Sequence, residues 1–406
     1  MRFFLFITFL LIISVSSFGQ AESPTNSNRT KIKKIAFGEK DTCLLYKTGI
    51  VKCWGTNQNG ISGMAPNTEV LKPNLIKGIA DADDLQMGDE FACAKTKSGS
   101  LKCWGDFTNM HIGSNNTYSE LLDVSVSASV KQMAIGGKHI CVLLENNKLL
   151  CLGQNDFGQL GNGNKSQKVS SNWVEIKQIS VFEKMGKYNK IEEIVPIREV
   201  KQISAGRFHN CALLTDDSLY CWGKENVDQR FQIQDNFLPR ISKHAHNDNY
   251  LKNNKYKQLS LGMYHTCTIS SENEARCEGL WESRKFEKIW LIPEYTLHLP
   301  DKLKGISSGA NHACGILMEG RVKCWGPNNA GEIGKAPMEG DLPIKDTRLP
   351  TEVKNITTAE TLFLGPDISC ALLKDDSIKC WGSGFKLLGN SGAIHSDPYA
   401  FTSEDF

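Results

Sequence analysis

The sequence predicts an all-β fold, a seven-bladed β-propeller, on three observations. One pattern recurs seven times: a cysteine, a second cysteine ten residues later, and a glycine two residues beyond that. The seven copies use all 14 cysteines of the chain. They follow one another at an interval near fifty residues, and the apolar residues inside each alternate with the period of two that strands require. The propeller is expected to be one domain over residues 33–403, closed by N- and C-terminal strands sharing one blade, which leaves few free sheet edges.

Each copy reads as a hairpin. The first is "CLLYKTGIVKCWG", residues 43–55. Setting Cys43 opposite Cys53 puts Leu45 opposite Val51 and Tyr46 opposite Ile50, and leaves a three-residue loop, Lys47-Thr48-Gly49. The last position of such a loop adopts positive φ, so it favours Gly, Asn or Asp. Across the copies it is Gly49, Gly99, Asn147, Asp217, Asn273, Gly320 and Asp376. Directly opposed residues of an antiparallel pair lie within disulfide reach. The expected bridges are therefore Cys43–Cys53, Cys93–Cys103, Cys141–Cys151, Cys211–Cys221, Cys267–Cys277, Cys314–Cys324 and Cys370–Cys380. Metal or redox pairs are the competing reading. An activated thiolate usually needs a helix start, and nothing in these stretches supplies one.

Two further strands complete each unit. An apolar strand ends at a glycine five residues before each first cysteine: Gly38, Gly88, Gly136, Gly206, Gly262, Gly309 and Gly365. A proline-led segment supplies the other, as in "PNLI" from Pro73 and "PTEV" from Pro350, with Pro196, Pro239 and Pro300 at comparable places. Residues 22–34 hold no such segment, whereas the C-terminal "PYAF" from Pro398 is spare. Residues 398–401 are thus expected to complete the blade begun by residues 33–55.

The N-terminus has the form of an export signal. Arg2 precedes an apolar run over residues 3–14, and Ser17 and Gly19 are small residues placed for a peptidase. The expected division is a signal peptide over residues 1–19, cleaved after 19 or 21, and a flexible linker over 20–32. No second apolar run is long enough to span a bilayer, so the mature chain is expected to be soluble, secreted or periplasmic. Paired cysteines in an exported chain agree with an oxidising compartment. A net charge of +2 gives no reason to invoke nucleic acid.

A glycine, often a histidine, then "CALL", a turn, "CWG" and "N-x-x-G-Q-L-G" together resemble the regulator of chromosome condensation repeat. The fullest match is "GGKHICVLLENNKLLCLGQNDFGQLGNG", residues 136–163. "NQNGISG" (57–63) and "NNAGEIG" (328–334) are partial tails, and Leu152 and Glu278 replace the tryptophan of the other five copies. The resemblance implies a seven-bladed propeller, and the paired cysteines look like the exported variety of this repeat. Nucleotide exchange on a small GTPase and chromatin binding belong to the name-giving member. They do not transfer to an exported chain without a basic nuclear tail.

Three sets of side chains invite a functional reading. His139, His209, His265 and His312 stand two residues before a first cysteine in four consecutive copies. They are either a ring of metal ligands or part of the repeat, bonding locally to a strand end; the second is favoured. Trp54, Trp104, Trp222, Trp325 and Trp381 are either a sugar-stacking ring or packing between blades, and packing is favoured. The insertion at residues 164–193 carries Trp173, Phe182 and Tyr188 among lysines, an aromatic and basic candidate for holding a protein partner. No catalytic motif occurs. The expected function is a monomeric, non-enzymatic protein-binding module without a cofactor. A carbohydrate- or cell-wall-binding propeller with hydrolytic activity is the alternative, and the exposure of the five tryptophans separates the two.

Overall fold

The computed structural model describes residues 31–110, 120–164, 168–185, 188–224, 235–241, 255–279, 297–299, 301–336, 349–383 and 395–401. The expected signal peptide and nearly all of the linker lie outside the described residues. Seven four-stranded units follow one another along the chain. Blade 1 is β1 (Ile32–Phe37), β2 (Asp41–Tyr46), β3 (Val51–Gly55) and β4 (Val70–Leu75). Blade 2 is β5 (Ala82–Met87), β6 (Phe91–Thr96), β7 (Leu101–Gly105) and β8 (Leu122–Val124). Blade 3 is β9 (Val130–Ile135), β10 (His139–Leu144), β11 (Leu149–Gln154) and β12 (Val169–Glu175). A hairpin, β13 (Gln178–Met185) and β14 (Tyr188–Pro196), then precedes blade 4. Blade 4 is β15 (Val200–Ala205), β16 (His209–Leu214), β17 (Leu219–Lys224) and β18 (Asp235–Ile241). Blade 5 is β19 (Tyr256–Leu261), β20 (His265–Ser270), β21 (Ala275–Gly279) and β22 (Leu297–His298). Blade 6 is β23 (Leu303–Ser308), β24 (Ala313–Leu317), β25 (Val322–Trp325) and β26 (Thr351–Glu352). Blade 7 is β27 (Ala359–Leu364), β28 (Ile368–Leu373), β29 (Ile378–Gly382) and β30 (His395–Phe401).

The first strand of each blade faces the axis, and each of these inner strands contacts the next around a closed ring, β27 back to β1. They line a central channel of about 380 Å³.

Ring closure differs from the expectation. No blade is shared between the termini: β4 completes blade 1 and β30 completes blade 7. Pro73, Pro239 and Pro398 lie in the last strand of their own blade and Pro350 directly precedes one, β26, whereas Pro196 ends β14 of the extra hairpin and Pro300 lies outside the described residues. After the second cysteine the nearest open backbone edge is that of the hairpin just formed, so Pro73 in β4 returns along β3. The termini meet by side-chain packing instead. Ile32, Ile35, Leu44 and Trp54 of blade 1 join Phe363, Ile368, Leu372 and Ile378 of blade 7 in one buried cluster.

Each hairpin has the anticipated register, with the two cysteines directly opposed, as in Cys43↔Cys53 and Cys141↔Cys151. Their Cα atoms lie 4.0–4.1 Å apart, the closer of the two antiparallel pair types, and all seven pairs are disulfides. The third loop position has φ between +64° and +102° in every copy. In blade 1 the turn also packs closely on the next inner strand: a Cβ on Gly49 would lie 2.8 Å from Ala80 O.

The hairpins' short turns, such as Lys47–Gly49, lie at one end of the ring. The loops following each inner strand and each "CWG" lie at the other, where Thr56 N–H donates to Lys40 O. The two ends are called the turn face and the loop face below.

Candidate functional site

The histidines sit at the junctions between blades. His139 Nε2 is 2.8 Å from Asn210 Oδ1, His209 Nε2 is 3.1 Å from Thr266 Oγ1, and His312 Nε2 is 2.7 Å from Ser369 Oγ. In each case the partner stands just before the first cysteine of the following blade. Asn210 Nδ2 and Ser369 Oγ in turn donate to a loop carbonyl of the histidine's own blade, Gln159 O and Glu332 O. With those donors committed, the histidine must be the donor, which assigns the Nε2–H tautomer to His139 and His312. Burial holds all four imidazoles neutral, pushing His139 and His209 down to about 4 and His265 and His312 down to about 3. The same rings explain the glycine five residues before the cysteine. A Cβ on Gly136 would lie 2.0 Å from His139 Cε1, and one on Gly262 would lie 2.0 Å from His265 Cε1. Among the described residues no group of three or more His, Cys, Asp or Glu could hold a metal ion.

The tryptophans belong to these junctions too. Trp54, Trp104, Trp222, Trp325 and Trp381 are 0–1% exposed. Trp104 Nε1–H donates to Ile61 O, Trp222 to Gln159 O and Trp381 to Glu332 O. All three acceptors hold one position, the residue after the first glycine of the N-x-x-G loop in the preceding blade. The asparagine of that loop shapes it. Asn57, Asn155 and Asn328 each accept from a backbone N–H five residues on, at Ser62, Leu160 and Ile333. Leu152 and Glu278 follow blades 2 and 4, in which that loop pattern is lost; it is also lost in blades 5 and 7, after which Trp325 and Trp54 are kept.

Inner strands are joined by glutamines that sequence reading passed over. Gln132 donates to Lys201 O and accepts from Ile203 N–H, and Gln202 both donates to and accepts from Leu259. Successive inner strands diverge from one another, and the amide side chain supplies the missing donor and acceptor.

At the loop face Arg207 of blade 4 reaches over Gly137 of blade 3 to Asp89 of blade 2, Nε to Oδ2 2.9 Å. A Cβ on Gly137 would lie 2.8 Å from Arg207 Cγ and 2.9 Å from Asp89 Oδ2, so glycine makes room for the bridge. Burial raises Asp89 and Arg207 opposes it. Beside this bridge Phe157, Phe208 and Tyr264 of blades 3, 4 and 5 form a half-buried row. Phe157 meets Phe208 edge-on at 5.5 Å, and Phe208 stacks on Tyr264 at 5.6 Å. The readable signal was a shared repeat position: Phe208 and Tyr264 each directly precede a histidine, where Lys138 and Asn311 stand in blades 3 and 6.

The insertion divides into two parts. Trp173 lies on β12, the outer strand of blade 3, where its indole N–H donates to Ser125 O at 2.8 Å. It packs against the cluster joining blades 2 and 3. The extra residues form the β13–β14 hairpin, which carries Phe182 and Tyr188. Their side chains lie outside the described residues. Ser180 of β13 pairs with Arg240 of β18, so the hairpin extends the sheet of blade 4 to six strands.

Comparison with known proteins agrees with this geometry. The profile of the regulator of chromosome condensation (RCC1) repeat matches residues 130–159, 200–229 and 304–332, in blades 3, 4 and 6. Three segments of the chain thus match the RCC1 repeat. It is 26% identical over 207 residues to Protein pim1 of Schizosaccharomyces pombe, covering 46% of this chain and 37% of that protein. This chain thus spans well under half the length of that relative. Among solved structures, human WBSCR16 aligns with a TM-score of 0.67 at 17% identity, covering 85% of this chain and 87% of that one. Prp20p of Saccharomyces cerevisiae aligns with a TM-score of 0.63 at 20% identity, covering 85% and 84%. The seven-bladed propeller fold is thus shared with these structures, and the seven disulfides fit an oxidising, non-cytosolic compartment. Among the described residues no helix is long and apolar enough to cross a membrane.

Proposed function

We propose that this RCC1-type propeller is exported on the signal peptide of residues 1–19 and binds another protein, with no chemistry of its own. The observation that carries this reading is the burial of all five repeat tryptophans at blade junctions. A sugar-binding propeller needs aromatic faces open to solvent, and these indoles are enclosed. His139, His209 and His312 are likewise engaged between blades. What varies between copies is then what recognises a partner: the loop-face aromatics and the β13–β14 hairpin. The solved structure of Prp20p, described with its binding to Gsp1p and histones, supports protein binding as a use of this fold.

Affinity capture with the mature, oxidised protein from the host's extracellular fraction, run beside a glycan array, tests the reading. A saturable protein partner and a blank array are expected. Strong glycan binding with no protein partner would falsify it.

A further inference from the structure

We propose that the loop face of blades 3 to 5 binds an acidic protein segment, a carboxylate flanked by an aliphatic or aromatic side chain, with Lys224 as the anchoring charge. This deepens the protein-binding reading and rests on it.

Lys224 ends β17. Its ammonium lies 4.7 Å from the ring centre of Phe157, 5.2 Å from Phe208 and 5.5 Å from Tyr264, all within cation–π range. Three aromatic rings from three blades thus hold one cation in place. Its neighbours are already neutralised: Arg207 pairs with Asp89, and Lys138 lies 3.2 Å from Glu90. Among the described residues no carboxylate pairs with Lys224. A fixed ammonium with no carboxylate partner among the described residues, set on an apolar platform, is complementary to a carboxylate that carries an apolar neighbour. The rings supply the low-entropy aromatic contact typical of interface hot spots.

The opposite side of the same face has the opposite sign. Glu39 and Glu69 of blade 1 and Asp367 of blade 7 line a separate pocket of about 230 Å³ there, with Lys40 as its basic member. With three carboxylates to one lysine in its lining, that sector offers an acidic segment no anchor comparable to Lys224.

The test uses the mature oxidised protein and fluorescent peptides in which Glu or Asp is flanked by Leu, Phe or Tyr, read by anisotropy at low and high salt. Binding is expected to weaken with salt, to fall tenfold or more in Lys224→Glu, and to return in Lys224→Arg. Lys97→Glu, an exposed lysine on the turn face, should leave it unchanged. Hydrogen exchange should show protection at residues 207–208, 224 and 263–264. Unchanged melting midpoints establish that the variants are folded. Failure of every acidic peptide at low salt overturns the proposal, as does binding indifferent to Lys224→Glu. Capture of trimethyl-lysine peptides in their place also overturns it, since the rings would then take a cation. A protein partner whose footprint falls on the β13–β14 hairpin, unaffected by Lys224→Glu, leaves the protein-binding reading standing and removes this site alone.

Discussion

The junction between blades 3 and 4 and the junction between blades 2 and 3 solve one packing problem with opposite chemistry. At the first, His139 bonds Asn210, and both Asn210 and Trp222 donate to Gln159 O. At the second, the residues at the histidine, asparagine and tryptophan positions are Phe91, Ile140 and Leu152. With Met110, they are buried in one apolar cluster. The change is concerted. When blade 2 loses its N-x-x-G loop, the carbonyl that served the two donors goes, and all three partner positions turn apolar. A buried polar group without its partner costs about 1–3 kcal/mol, whereas replacing the whole set with apolar groups is nearly neutral. The junction between blades 6 and 7 keeps the polar arrangement, with His312, Ser369, Trp381 and Glu332 O in the same roles.

Acid should separate the two kinds of junction most strongly. His139, held down to about 4, and His265 and His312, held down to about 3, each sit below the unfolded value near 6.5. The stability they contribute is complete above about pH 6.5 and is lost as the pH falls through the folded values. The combined loss between pH 7 and 4 is expected to be several kcal/mol. Hydrogen exchange at pH 4.5 should show β10, β16 and β28 opening before β6 and β9. Simultaneous opening would break the comparison.

Glu332 acts in the opposite direction. It is 2% exposed, and burial pushes its carboxyl up to about 7 although Asn329 and Ala330 N–H groups donate to it. Its folded value is above the usual 4.5, so stability falls as the pH rises from about 4.5 to about 7. In blade 3 the same position is Gln159, whose amide oxygen accepts from Phe157 N–H. Glu332→Gln is therefore expected to stabilise the protein above pH 7, by up to about 3 kcal/mol, and to leave it unchanged at pH 4. Urea unfolding at the two pH values measures this.

Next in size is the polar set itself. His139→Phe strands Asn210 Oδ1 and should cost about 1–3 kcal/mol. Adding Asn210→Ile, the pairing found at blades 2 and 3, should recover part of the loss. A double-mutant cycle is expected to give a coupling of about 0.5–3 kcal/mol, and a coupling of zero would show the two positions to be independent. The smallest effect is a difference between tryptophans. Trp222 has its acceptor at Gln159 O, whereas among the described residues Trp325 Nε1 has none. Trp222→Phe should exceed Trp325→Phe in cost by about 1 kcal/mol, one buried hydrogen bond.

The hairpins were legible because their constraints are local. A ten-residue cysteine spacing, alternation of period two and a positive-φ residue at one loop position settle register and disulfide pairing without knowledge of the rest of the chain. Blade number followed from counting. The order of strands within a blade did not, because the proline-led segment can be read with the unit before it or after it. Pro73 joined β3, and the anticipated exchange between termini did not occur. Trp173 was read as part of an insertion because interval length shows that residues have been added, not where the outer strand ends.

By itself, the sequence determined the unit: a stapled hairpin, an inner strand ending at glycine, seven copies and hence a ring. What each recurring residue is for was decided by tertiary structure. His139 and Asn210 are 71 residues apart, and Trp222 is 63 from its acceptor, so no window of sequence contains the pair. The gathering of Phe157, Phe208, Tyr264 and Lys224 is likewise visible only once three blades stand side by side. Hydrogen bonds and cation–π contacts depend on distance in space, and in a propeller the nearest neighbour in space is about one blade away along the chain.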